Sequence, residues 1–200
     1  MKNFLLISLL FISSLSGIAQ KVPAPAAVPE VKVITPTNFH LVSKTVFRSG
    51  QPETEELIAL YKSHKLRTVL NLRNFHSDRS KVASANAQLS SPLRLYEIPM
   101  NSGRIKEHHL LQILTVIRDA PKPLLIHCWH GSDRTGCAVA AYRIVFENWS
   151  VEAAIAELMK PEYGHHKMIY TNIPALLRSA NWKKIKAQIL PASQAAQPQK

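Results

Sequence analysis

Apolar positions along the chain follow two rhythms. Short apolar runs in "TVFRS" (45–49), "TVLNL" (68–72), "LRLYEIP" (93–99) and "PLLIHC" (123–128) have the length and residue mix of strands. Elsewhere the apolar residues recur at helical spacing: Leu110, Ile113, Leu114 and Ile117 mark one helix face, and Val151, Ala154, Ile155 and Leu158 another. Ser150 is placed to cap the second of these helices, with Glu152 complementing the dipole of its first turn. Strands separated by helices predict an α/β domain with a central, mostly parallel sheet flanked by helices. No internal repeat is visible.

The two ends break this pattern. "MKNFLLISLLFISSLSGIAQ" has a lysine-marked start, an apolar run from Phe4 to Leu15 and the small residues Ser16, Gly17 and Ala19, the layout of a secretory signal over 1–19. A membrane span needs roughly 20 apolar residues, and this run is shorter and interrupted by serines. The expectation is therefore an exported protein, periplasmic or secreted, with no stable membrane anchor after cleavage. Proline and alanine dominate 20–37, read as an extended linker, and 191–200 lacks periodicity, read as a flexible tail. With 46% hydrophobic residues in 200, the rest (38–190) is sized for one core. A monomer is expected.

Charge narrows the partners. Loss of Lys2 with the signal leaves 24 basic against 13 acidic side chains, a surplus that concentrates anions near the surface. Part of it, in "NWKKIKAQ", is equally the wet face of a helix. No nucleic-acid recognition motif or aromatic-basic platform accompanies it, so a nucleic-acid partner is not expected. What remains is a phosphorylated small molecule or phosphoprotein.

Candidate chemistry gathers in "PLLIHCWHGSDRTGCAV". Cys128 follows a strand, and ligands of such sheets sit at the carboxyl ends of strands. Five residues separate it from Arg134, where a helix is predicted to begin. A loop of that length, through Trp129, His130, Gly131 and Ser132, can turn successive N–H groups inward and cradle a phosphate dianion at the helix N-terminus. Gly131 is expected to let the backbone approach closely, and Gly136 to let the first helical turn pack against the strand. The same positive field favours a thiolate at Cys128, which makes it a nucleophile. Arg134 can fork two donors onto phosphate oxygens in a way no lysine can.

"HCWHGSDRTG" matches the HCxxGxxR[ST]G signature of the cysteine-dependent protein-tyrosine and dual-specificity phosphatases. "FRSGQP", "VLNLRNFHSDR", "GCAVAAYRIVFENWSVEAAIAEL" and "EYGHH" resemble the compact bacterial dual-specificity-like branch, and the resemblance covers roughly 38–180. It implies a dual-specificity-phosphatase-like fold, a phosphomonoesterase with a cysteinyl-phosphate intermediate, and no metal or cofactor. It also implies that Thr135 hydrogen-bonds the cysteine sulfur and that His127 organises the loop.

One departure stands out. The family's general-acid aspartate usually lies on a mobile loop ahead of the signature, and the corresponding "EIPMNSGRIKEHH" has no aspartate. The chain has three in all: Asp78, Asp119 and Asp133. Asp119 ends a helix beside "APKP", a surface turn. Myotubularins and exported bacterial phosphatases with an HCxxGxDRT loop place their proposed acid at the position of Asp133, which makes it the first candidate, with a pKa raised by the bound dianion. The competing role for Asp133 is to pin the loop by pairing with a neighbouring base; Asp78 is the second candidate acid.

Other residues carry weaker signals. A zinc site from His127, Cys128 and His130, with His108, His109, His165 or His166, would share its pocket with Arg134 and a positive helix end, so no metal is expected. Trp129 faces the pocket mouth, while His130 either contacts phosphate or is solvated. Arg48 and Arg73 follow strand ends and either line the opening or hold loops. Cys137 is read as a core residue, with a disulfide to Cys128 as the alternative. A phosphotyrosine needs an aromatic wall, for which Phe75 and Trp129 are candidates. An inositol polyphosphate needs a wide basic opening, with Arg48, Arg73, Arg79, Arg104, Lys106 and the histidines as candidates, and the export signal favours that substrate. A non-catalytic phosphate-binding module is the alternative of another class.

Overall fold

The computed structural model describes residues 34–190. The signal, most of the linker and the tail lie outside the described residues.

Five strands form one sheet: β1 (His40–Leu41), β2 (Val46–Ser49), β3 (Thr68–Arg73), β4 (Arg94–Met100) and β5 (Leu124–His127), in the order β1-β2-β5-β3-β4. β2, β5, β3 and β4 run parallel, and β1 closes one edge antiparallel to β2. This is the mostly parallel α/β architecture predicted from the alternation of strands and helices. All of β2 and β5 is buried, as strands covered by helices on both faces must be. Register aligns Ser49, His127 and Asn71 at the carboxyl ends of β2, β5 and β3. That end of the sheet carries the candidate site.

The helices are α1 (Thr54–His64), α2 (Arg79–Asn86), α3 (Glu107–Asp119), α4 (Asp133–Phe146), α5 (Val151–Leu158), α6 (Asn172–Ser179) and α7 (Trp182–Ile189). Leu57 and Leu60 of α1 and Val82 and Ala85 of α2 share one apolar cluster with Phe47, Val69 and Leu125 of the sheet. The larger cluster joins α3 to α7 with Val46, Leu70, Leu124 and Ile126. Alternate residues of β3 and β5 thus feed opposite layers, as the two-residue period of a strand requires.

α3 buries Leu110, Ile113, Leu114 and Ile117, the stripe read from the sequence. Each such side chain contributes about 1.5–3 kcal/mol on burial, far more than helix propensity supplies. On α5 the Ser150 hydroxyl accepts from the Ala153 N–H, capping the helix as predicted. α4 shows no stripe because it is buried nearly all round, from Thr135 through Ala141 and again at Ile144 and Val145. Its glycine and alanines let neighbouring helices close on the element that begins at the candidate loop.

Candidate active site

β5 delivers His127 and then Cys128, and the chain turns through Trp129–Ser132 into α4. The Gly136 N–H donates to the Ser132 carbonyl at 2.8 Å, closing the first helical turn. Gly131 has φ +77°, and a Cβ there would sit 2.5 Å from the Ser49 carbonyl carbon and 2.6 Å from the Gly50 nitrogen. Only glycine accepts both the conformation and the contact. Its close approach is to the end of β2, where the Gln51 N–H also donates to the Trp129 carbonyl at 2.9 Å. Gly136 differs from the sequence expectation: a Cβ would meet Leu158 Cδ1 of α5 at 2.4 Å, so the tight packing is against a helix and not the strand.

Two residues expected near substrate lie beneath the loop. Arg48 is 1% exposed; its Nη2 donates to the Gly131 carbonyl at 2.8 Å and its guanidinium lies 4.0 Å from the Tyr163 ring centre. It holds the loop and does not line the opening. Asp78 is fully buried, with Oδ2 2.7 Å from His127 Nε2 and Oδ1 accepting from Gln51 Nε2 at 2.7 Å. Burial alone raises a carboxyl's pKa, but the hydrogen bond and charge of His127, with help from Gln51, outweigh it and hold Asp78 below its usual range. A buried carboxylate committed to His127 reaches neither a phosphate nor a leaving group, so Asp78 is a loop-fixing residue and not an acid.

Asp78→Ala is expected to cost about 3–5 kcal/mol, because it strands His127 in the core. Urea unfolding at neutral pH measures this. The folded Asp78 carboxyl titrates below its unfolded value of about 3.9, so its stabilisation is complete above that pH and is lost as pH falls through the folded value. Wild type and variant therefore converge in stability as acid protonates Asp78.

Above the loop opens a pocket of about 330 Å³ lined by Arg73, Trp129, His130, Asp133, Arg134 and His166. Asn74, Ser102, Ile169 and Tyr170 complete its wall. Cys128, 2% exposed, directly precedes Trp129 and His130 of the pocket wall and is not itself among the lining residues. Among the described residues, no N–H from Trp129 to Thr135 has a protein acceptor, which leaves a run of donors at the start of α4. Arg134 makes one long bond, Nη1 to the Met100 carbonyl at 3.4 Å, and its buried Nε has no partner among the described residues. Donors left unpaired in a buried place are costly unless a ligand takes them up. Arg73 stacks 4.1 Å from the Trp129 ring centre and donates to Gln51 Oε1 at 2.7 Å, so its guanidinium is fixed at the rim. The Thr135 hydroxyl is buried without a partner among the described residues, so the bond to the cysteine sulfur implied by the resemblance is not formed. Ser132 is buried as the N-cap residue of α4.

Asp133 is the clearest departure. Its Oδ1 lies 2.8 Å from His165 Nδ1 and accepts from the His166 N–H at 2.9 Å, while Oδ2 is 2.8 Å from His166 Nδ1. Burial works to raise its pKa, but hydrogen bonds from His165 and His166 outweigh it, and the carboxyl is held below its ordinary value. The raised value expected from the sequence applies to the protein with a phosphate dianion bound. A carboxylate that accepts from the His166 N–H and ring, with the His165 ring 2.8 Å away, is a poor proton donor; it is the pairing role that the geometry fits. Pro161–Tyr163 forms a 3-10 turn ended by Gly164 at φ +67°, and this turn presents His165 and His166 to Asp133.

Sequence reasoning missed Asn74, Ser102, Ile169 and Tyr170 as pocket residues. "EYGHH" was placed near the pocket only by the resemblance, with no chemical role assigned to His165 or His166, and nothing in its spacing gave one. Of the basic candidates, Arg79 is spent 3.3 Å from Glu97 on the surface, and neither Arg104 nor Lys106 lines the pocket. Phe75, 96% exposed, forms no wall. A second cavity of about 560 Å³ shares Arg73, Trp129 and His130 with the first and continues to His76 and Lys81. Cys137 is buried in α4, its thiol pushed up to about 12 by burial, and both cysteines are free. Among the described residues no group of three or more His, Cys, Asp or Glu is placed to hold a metal.

A family model described as the tyrosine phosphatase family matches residues 33–170. The chain belongs to the tyrosine phosphatase family. Two members illustrate its relations. The dual specificity protein phosphatase TpbA of Pseudomonas aeruginosa (strain UCBPP-PA14) is 29% identical over 149 residues, 73% of this chain and 65% of its own length. The crystal structure of P. aeruginosa TpbA in complex with pTyr matches at TM-score 0.65 and 27% identity, covering 76% of this chain and 90% of that one. Inositol diphosphatase SIW14 of Saccharomyces cerevisiae is 30% identical over 126 residues, 60% of this chain and 43% of its own length. Its core catalytic domain, solved with citrate, matches at TM-score 0.68 and 25% identity, covering 84% of this chain and 99% of that one. This tyrosine phosphatase family chain thus spans about two-thirds or less of the curated relatives it resembles.

Proposed function

We propose that the protein is an exported cysteine-dependent phosphomonoesterase acting on an inositol polyphosphate or a similar phosphate-rich small molecule. The observation that carries the chemistry is the run of unpaired amides from Trp129 to Thr135, with Arg134 beside it and Cys128 at its foot. The thiolate attacks phosphorus, forming an S–P bond as the P–O bond to the leaving group breaks and that oxygen gains a proton. Water then attacks the cysteinyl phosphate, loses a proton, and releases phosphate and the thiolate. Amides and guanidinium stabilise the equatorial oxygens throughout, because charge develops there in the transition state.

The substrate reading rests on the second cavity. Arg73 and His130 belong to both, and His76 extends the lining, while Lys81 reaches it paired with Glu53 at 2.6 Å. A substrate with one phosphate in the loop can place another there, and SIW14 is an inositol diphosphatase. A second reading, phosphotyrosine, is favoured by the Trp129 and Tyr170 rings on the pocket wall and by the pTyr complex of TpbA. Export rests on residues 1–19 alone.

One preparation tests these points. Protein recovered from outside the cytoplasm is expected to begin near Gln20 by mass spectrometry. Assayed on a panel of inositol polyphosphates and phosphotyrosine peptides, it is expected to show at least tenfold higher kcat/KM on the former. The reverse order overturns the substrate reading, and an intact residue 1 overturns export.

A further inference from the structure

Resting on the phosphatase reading above, we propose that His166, oriented by Asp133, is the group that protonates the leaving oxygen and then takes a proton from the attacking water. His166 lines the pocket together with Arg134 and is 42% exposed at its side chain. Its Nδ1 faces Asp133 Oδ2 at 2.8 Å, which places the Nδ1 proton toward the carboxylate and leaves Nε2 as the nitrogen not engaged by Asp133. The His166 backbone N–H is fixed to the other carboxylate oxygen, so ring and main chain are anchored by one residue. His165, 1% exposed, supports that carboxylate from behind.

The arrangement repeats the logic of a carboxylate-oriented imidazole: the acid stays ionised, sets the tautomer and stabilises the imidazolium, while the ring moves the proton. In the first step the Nε2 proton passes to the leaving oxygen as the S–P bond forms and the P–O bond breaks. In the second, neutral Nε2 accepts a proton from water as the new P–O bond forms and the S–P bond breaks. Cation, anion and nucleophile are restored with no further reactant. Groups facing His166 come from each packed element. Asp133 of α4 favours the charged ring. His130, with ring centres 5.8 Å apart, and Arg134 and Arg73 across the pocket oppose it, and Tyr170 lies edge-on at 6.1 Å. A bound phosphate dianion adds to the negative charge that faces the ring.

The test compares His166→Gln with wild type on an alkyl phosphate, whose leaving group needs a proton, and on 2,4-dinitrophenyl phosphate, whose leaving group does not. The expected result is a loss in kcat/KM, which reports only the steps through departure of the leaving group, of roughly 10²–10⁴-fold on the first and under about tenfold on the second, with the alkaline limb of the alkyl-phosphate pH profile abolished. Asp133→Asn is expected to show the same leaving-group selectivity, and the double variant to lose little more than the worse single one. Equal losses on both substrates, or an unchanged pH profile, overturn the assignment. Selective loss in Asp133→Asn with an unaffected His166→Gln makes Asp133 the acid and likewise overturns it. In either case dinitrophenyl phosphate turnover by Cys128-dependent chemistry leaves the phosphatase reading standing, whereas a wild type inert on both substrates removes both.

Discussion

Cys128→Ser is expected to lower kcat on every phosphomonoester by on the order of 10⁴–10⁶, the scale on which loss of a catalytic nucleophile is felt. A hydroxyl at that position occupies nearly the same volume, and Cys128 is 2% exposed within the larger apolar cluster, so the fold is retained. What the proposed mechanism loses is its sulfur nucleophile, which serine does not replace without an adjacent base. Its neighbour His127 is not free to act as one, being held on Asp78 at 2.7 Å. Oxyanion binding, which depends on the loop amides and Arg134, is expected to survive within about threefold, near 0.6 kcal/mol. Steady-state kinetics and tungstate titration of the same protein separate the two effects. A variant with more than a tenth of wild-type kcat would show that the sulfur is not the nucleophile.

The second large effect is expected for Arg134→Lys, a loss of roughly 10³–10⁵ in kcat with a much smaller change in KM. Charge is conserved in this variant, so the experiment isolates geometry. The guanidinium offers a planar fork, its Nε is buried without a partner among the described residues, and its Nη1 bond to Met100 is long at 3.4 Å. Those donors are held for a ligand that presents several oxygens in one plane, as a phosphoryl group does on the way to its transition state. An ammonium reaches one oxygen with a point charge. Activity within tenfold of wild type would place Arg134 in binding or loop structure only.

The nucleophile loop was legible because its residues are contiguous: a strand, a cysteine, a glycine that must adopt positive φ, and an arginine at a helix start all fall in one stretch. α3 and α5 were legible because each buries a single stripe. α4 escaped that signal through burial on nearly every side. α2 has only Val82 and Ala85 buried in eight residues, and β1 has two residues, too little pattern for either to register. The supports of the site were hidden for another reason: they are long-range. Arg48 reaches a carbonyl 83 residues away, and His166 reaches Asp133 across 33. Periodicity carries no information about such pairs. The pairing of Asp133 with its two histidines was hidden on the same ground, since they come from a separate turn that spacing does not bring to the loop.

Acid-quenched wild-type protein, taken during steady turnover of dinitrophenyl phosphate and analysed by peptide mass spectrometry, puts the central claim to direct test. The mechanism predicts a phosphoryl group on the peptide containing Cys128, cleaved by iodine as a P–S bond is, and absent from Cys128→Ser. Turnover at full rate with no phosphorylated peptide, or with the phosphate on a histidine, would contradict it.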